Sequence, residues 1–122
     1  MRTPKSDESI LKSLEGNRLS AVTFVLQDYL QLHFDGSLLN VYVWPRIRTG
    51  ELALDRDTPG YRDALCRQIG KHVGAAIEEP NDKLVIQFVD GTIVEISLKE
   101  EDRNGPEAAM LQIDAGKRWN VW

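Results

Sequence analysis

Asp28-Tyr29-Leu30-Gln31-Leu32-His33-Phe34-Asp35-Gly36-Ser37 returns 54 residues later as Asp82-Lys83-Leu84-Val85-Ile86-Gln87-Phe88, followed by Val89 and Asp90-Gly91-Thr92. Upstream, Gly16 and Leu19 match Gly70 and Val73 at the same offset. Downstream of the extra Val89, Leu39, Val41 and Val43 match Val94, Ile96 and Leu98. A chain written twice is expected to fold as two equivalent units. A unit of this size is marginal alone, whereas a pair can share one core.

Within each copy the period is that of strands. Leu30, Leu32 and Phe34 alternate with Tyr29, Gln31 and His33, a half-buried pattern. Three strands are expected per copy, near Leu19–Gln27, Tyr29–Phe34 and Ser37–Trp44, and near Lys71–Glu78, Lys83–Phe88 and Thr92–Lys99. Asp35-Gly36 reads as a two-residue type I′ hairpin turn. It sets Phe34 opposite Ser37, Leu32 opposite Leu39 and Leu30 opposite Val41. A two-residue turn at Asp90-Gly91 would mix the faces, since a one-residue slip moves every side chain across the sheet. A three-residue Val89-Asp90-Gly91 loop with Gly91 left-handed keeps Ile86 on Val94 and Leu84 on Ile96.

Each copy is also expected to open with a helix. Ser6 suits an N-cap, Asp7 and Glu8 the first turn, and Ile10, Leu11 and Leu14 a buried face, with Gly16 as the stop. Thr58 and Pro59 suit the start of the second, Tyr61, Leu65 and Ile69 its stripe, and Gly70 its stop. The fold class read from this pattern is α+β: a duplicated helix–three-antiparallel-strand unit plus a C-terminal hairpin. One domain spans 1–122, with repeat one at about 5–44, a crossing loop at 45–57, repeat two at about 58–99 and an extension at 104–122. Ile47, Leu52 and Leu54 would anchor the crossing loop. In the extension, Ala108–Ile113 and Arg118–Trp122 suit a hairpin turning at Asp114–Lys117; a short helix at Glu107–Leu111 competes. The pattern leaves open one curved sheet, a barrel or two sheets.

The 122 residues carry 15 Lys+Arg against 19 Asp+Glu, a net charge of −4, which argues against nucleic acid as a partner. The single Cys66 excludes an intramolecular disulfide and suits a reducing, cytoplasmic setting. No apolar run approaches a membrane span or a signal peptide, so a soluble chain without a membrane partner is expected. The two histidines, His33 and His72, are not repeat-equivalent and form no ligand pair, so no metal is expected. No phosphate loop, dinucleotide fingerprint or nucleophile elbow occurs, and no cofactor is expected. Cys66 has no partner base in the pattern and reads as a small buried hydrophobe. The duplicated Asp28/Asp82 and Asp35/Asp90 fall in turns that favour aspartate on local grounds.

What remains is one strand face. Tyr29 should oppose Tyr42, Gln31 should oppose Asn40, and His33 should oppose Leu38, with Trp44 extending the row. Aromatic and amide groups without charge match the cores of protein interfaces. Tyr29, Gln31, His33, Asn40, Tyr42 and Trp44 are therefore the candidate interface. Arg46 and Arg48 of the crossing loop form a secondary one. Trp119, Trp122 or the crossing loop could instead cover this face. The repeat residues and the ending Pro106-Glu-Ala-Ala-Met110…Trp119-Asn-Val-Trp122 resemble small uncharacterised bacterial α+β proteins of the toxin-immunity type. That resemblance implies a non-enzymatic binder of a protein partner and assigns no functional residue. A small-molecule binder or enzyme using a cavity between the repeats, and a structural homo-oligomer, are the alternatives.

Overall fold

The computed structural model describes residues 10–26 and 28–122. Among these residues ten strands form: β1 (Leu19–Val25), β2 (Tyr29–Phe34), β3 (Ser37–Val41), β4 (Arg46–Thr49), β5 (Leu52–Leu54), β6 (Val73–Glu79), β7 (Lys83–Phe88), β8 (Ile93–Ser97), β9 (Ala109–Ile113) and β10 (Arg118–Val121). One six-residue helix, α1 (Tyr61–Cys66), lies between β5 and β6. The strands make two antiparallel five-stranded sheets, β1-β2-β3-β9-β10 and β5-β4-β8-β7-β6.

The described residues are thus mostly β, with 48% of them in strands and 15% helical, and the expected α+β helix–strand repeat is wrong. Of the first expected helix, Ser6, Asp7 and Glu8 lie outside the described residues, and Ile10–Leu14 forms a 3₁₀ turn. The second does not start on Thr58 and Pro59. The Thr58 hydroxyl accepts the Asp55 N–H at 3.0 Å, and left-handed Gly60 precedes Tyr61. After Cys66 the bonds tighten to Gln68 N–H on Leu65 O and Ile69 N–H on Cys66 O. That i→i+3 winding turns Gln68 into the core and leaves Ile69 43% exposed. Cys66, expected buried, is exposed.

The crossing loop is the other correction. Residues 46–54 form the β4–β5 hairpin, because β8 offers an open edge and Ile47 and Leu54 can be buried against the core. Leu52, expected as a third anchor, is exposed. This hairpin follows β3 in the chain but pairs with β8, the third strand of the other copy. Its counterpart, β9–β10, follows β8 but pairs with β3. The two copies exchange their trailing hairpins.

They also exchange backbone bonds. Arg18 and His72, repeat-equivalent positions, bridge each other. Around them Gly16 N–H donates to Val73 O and Gly70 N–H to Leu19 O, while Val73 N–H donates to Asn17 O and Leu19 N–H to Lys71 O, at 2.7–3.0 Å. Each bond is the image of another under the 54-residue offset, so a local pseudo-twofold passes between Arg18 and His72. Gly16 and Gly70 take φ of +87° and +95° here. Each β1–β2 and β6–β7 pairing then skips one residue, Ser20 or Gly74, again at equivalent positions. The Ile10–Leu14 turn lies against β6, and α1 lies against β1 and β4. Glu15 ties the first of these, accepting the Ala76 N–H at 3.0 Å.

The hairpin registers are those the apolar pattern demands: Leu32 on Leu39 and Leu30 on Val41, then Ile86 on Val94 and Leu84 on Ile96. Gly91 is left-handed as expected. The first turn differs in type, since Gly36 alone of its two central residues has positive φ, so it is not type I′. The inner faces of both sheets enter one buried cluster with Leu11, Leu14, Tyr61 and Leu65.

Two expectations follow. Gly16→Ala and Gly70→Ala should each lower the urea-derived unfolding free energy by about 1–2 kcal/mol, because an L side chain resists that backbone. Gly74→Ala, with nothing closer than 3.7 Å to the new methyl, should not; equal losses at Gly70 and Gly74 would refute the account. The Asp90 carboxyl provides a second check. Burial alone would raise its pKa, but Lys71 Nζ at 2.6 Å and the Thr92 N–H at 2.9 Å hold it below the usual carboxylate range. The folded state therefore binds its proton less readily than the unfolded chain. The stabilisation is present above about pH 4 and fades as pH falls through the lowered value. The stability gap between wild type and Asp90→Asn should accordingly shrink between pH 7 and pH 3 in thermal melts.

Candidate functional site

Both inner faces are spent on the core, so any binding surface must come from outer faces, turns or clefts. In the first sheet, the register aligns three outer rows. Ala21, His33, Leu38, Gln112 and Trp119 make one; Thr23, Gln31, Asn40, Met110 and Val121 make the next. Val25, Tyr29 and Tyr42 close the third, the two tyrosine rings lying 5.3 Å apart at 53°. No Asp, Glu, Lys or Arg occupies any of these positions, in a chain that is 28% charged. Its polar groups bond among themselves. Gln31 Nε2 donates to Asn40 Oδ1 at 2.9 Å, and Thr23 Oγ1 lies 3.0 Å from His33 Nε2. Burial, with Glu107 and Tyr29 nearby, raises the Tyr42 phenol above its ordinary pKa.

The second sheet is the contrast. Its equivalent rows carry Arg46, Arg48, Glu79, Lys83 and Glu95. Glu95 receives Arg48 at 3.5 Å and Lys83 at 3.6 Å.

Of the residues singled out in the sequence, the structure brings Tyr29, Gln31, His33, Asn40 and Tyr42 together on the first face. Trp44 is not among them. β3 ends at Val41, and Trp44 turns to the core side, stacking 6.5 Å from Phe24 and lying tilted by 56° at 6.4 Å from Tyr61. Arg56 lies 4.5 Å over its ring. Tyr61 beneath is buried, donates to Pro45 O at 2.6 Å, and has its phenol pKa pushed far up chiefly by that burial. Arg46 and Arg48 belong to the other sheet, and Arg46 pairs with Asp55 at 3.1 Å. Trp119, 62% exposed, extends the uncharged face rather than covering it. Trp122 is half-buried against the core, its carbonyl taking the Ala108 N–H. Met110, Gln112 and Val121 were not singled out, and Trp119 was weighed only as a cover for the face. The alternation of Ala109-Met110-Leu111-Gln112-Ile113 was their signal, and it pointed to no partner strand.

The clefts offer less for a small molecule. An open groove of about 490 Å³ runs along Trp44, Arg46, Lys83 and Lys99, but Asp55, Glu95 and Asp82 already pair its cations. An open cleft of about 500 Å³ lies over the loop at Arg56–Asp63. Among the described residues, no group of three His, Cys, Asp or Glu could hold a metal. No described helix is long and apolar enough to cross a membrane. No protein-family model, curated protein or solved structure matches the chain.

The different surroundings of the tryptophans give a direct check. Trp44→Ala should cost about 2–3 kcal/mol of stability, somewhat less than a fully buried aromatic. Trp119→Ala should stay within about 0.5 kcal/mol, as exposed positions do. Urea denaturation with comparable losses for both would place Trp44 wrongly.

Proposed function

We propose that this protein is a non-enzymatic protein-binding module whose docking surface is the outer face of the first sheet. The observation that supports this is the uncharged face spanning five strands, from Ala21 and Tyr29 to Trp119. Nothing in the scaffold requires it, since the second sheet carries charges at equivalent positions. Depletion of charge with aromatic enrichment marks the centre of an interface, and Tyr and Trp are its usual anchors. Neutralisation of a toxin by an immunity-type protein, acting in the cytoplasm, is the form of this activity that the resemblance of type suggests. A second copy of the chain is the other partner this face suits, because two uncharged faces can meet despite a net charge of −4.

Affinity capture from the source cells tests the reading. Wild type and Val85→Asp, a change on the opposite sheet, should retain the same partner, while Trp119→Asp and Gln31→Lys should lose it with unchanged circular dichroism. A partner held equally by all four refutes the assignment. Light scattering on the same variants identifies a second copy as the partner if the mass falls only in the outer-face pair.

A further inference from the structure

The uncharged face ends at a pocket of about 220 Å³ lined by Tyr42, Asp28, Pro106 and Glu107. That volume is below the roughly 300 Å³ at which small-molecule sites begin, and it suits a single side chain. Tyr29 stands against Tyr42, so the Tyr42 side of the pocket belongs to an aromatic pair. Two carboxylates flank it, and no described residue forms an ion pair with either Asp28 or Glu107.

The duplication supplies an internal comparison. Asp28 is repeat-equivalent to Asp82, Tyr29 to Lys83, Tyr42 to Ser97 and Trp44 to Lys99. In the second copy, Lys99 Nζ reaches Asp82 at 3.8 Å, and Lys83 stands beside it in the same groove. The chain answers that aspartate with its own cations. In the first copy the repeat-equivalent positions hold Tyr29 and Trp44, and no cation among the described residues pairs Asp28. Elsewhere the molecule lays guanidinium groups on aromatic rings, Arg56 on Trp44 at 4.5 Å and Arg62 on Phe24 at 5.3 Å.

We infer that the pocket at Tyr42 receives an arginine side chain of the protein partner, its guanidinium stacked on the tyrosine pair and held by Asp28 and Glu107. A planar fork of donors suits two carboxylates and a ring face better than a compact ammonium does. The inference rests on the protein-binding reading and adds the partner's chemistry to it.

An acetylated and amidated Gly-Arg-Gly peptide is the probe, followed by nuclear magnetic resonance at the Tyr29 and Tyr42 ring signals. Saturable shifts are expected with arginine, weaker ones with the lysine peptide, and none with the isosteric neutral citrulline peptide. The double variant Asp28→Asn/Glu107→Gln, whose changes are exposed and leave the fold intact, should weaken the arginine peptide roughly tenfold, equivalent to losing its charge-assisted bonds. Citrulline binding as well as arginine, lysine binding more tightly, or no shift at Tyr42 overturns the assignment. The double variant also enters the capture experiment. A partner lost by Trp119→Asp yet undiminished with the double variant keeps the outer face and overturns the arginine pocket; loss with both supports it.

Discussion

Four backbone hydrogen bonds around the Arg18–His72 bridge hold the two copies in register, and the rest of the topology follows from them. They form only if the chain leaves the preceding turn with its N–H aimed at the other copy, which Gly16 and Gly70 achieve at positive φ. Immediately afterwards Ser20 and Gly74 drop out of the pairing, and such bulges bend and twist a strand. With the origins of β1 and β6 fixed back to back, each sheet's third strand presents its free edge to the hairpin trailing from the other copy. Exchange of those hairpins means that neither copy completes its sheet alone. This is the structural form of the size argument: a unit of about 54 residues buries too little surface to stand by itself.

The parts legible in the sequence were those whose pattern is local and long enough to be unambiguous. Alternation over Tyr29–Phe34 and Lys83–Phe88, joined to Gly36 and Gly91, specifies two hairpins and both registers, because any slip would expose Leu32 or Ile86. Short segments were not legible. Five residues with apolar positions at Ile10, Leu11 and Leu14 fit a 3.6-residue and a 3.0-residue winding equally well, and only the packing against β6 selects the latter. The same ambiguity put Ile69 in the core where Gln68 belongs. Arg46-Ile47-Arg48 alternates like a strand, yet its charges and its Pro45 and Gly50 neighbours resemble a loop. What makes it a strand is the β8 edge, a tertiary fact. Trp44 was misplaced for a related reason. The period-2 rule holds only while the strand continues, and the chain breaks from it after Val41.

The candidate face shows how the same limit affects function. Its first half, Tyr29 to Tyr42, lies on one hairpin and could be read from alternation. Its second half comes from β9 and β10, which join it only through the hairpin exchange. Sequence spacing carries no information about that pairing, so Trp119 was weighed as a cover for the aromatic row rather than as its continuation. The segment at 46–54 and the tail are topological counterparts of each other, and the real difference lies in the chemistry of the two outer faces.

That difference is informative because the duplicated backbone acts as its own control. The same strand scaffold accepts charged residues on its outer face in the second sheet, so the backbone alone does not dictate an uncharged one in the first. A broad uncharged surface nonetheless carries a cost in association with unintended partners. The second sheet avoids that cost with Lys83, Glu95, Arg46 and Arg48, and Asp82 is paired within it by Lys99. The first copy has the same aspartate, with Tyr29 and Trp44 at the positions of Lys83 and Lys99. A carboxylate that no described cation pairs, beside an aromatic pair and at the end of a face cleared of charge, is the local chemistry from which an arginine of a partner is proposed.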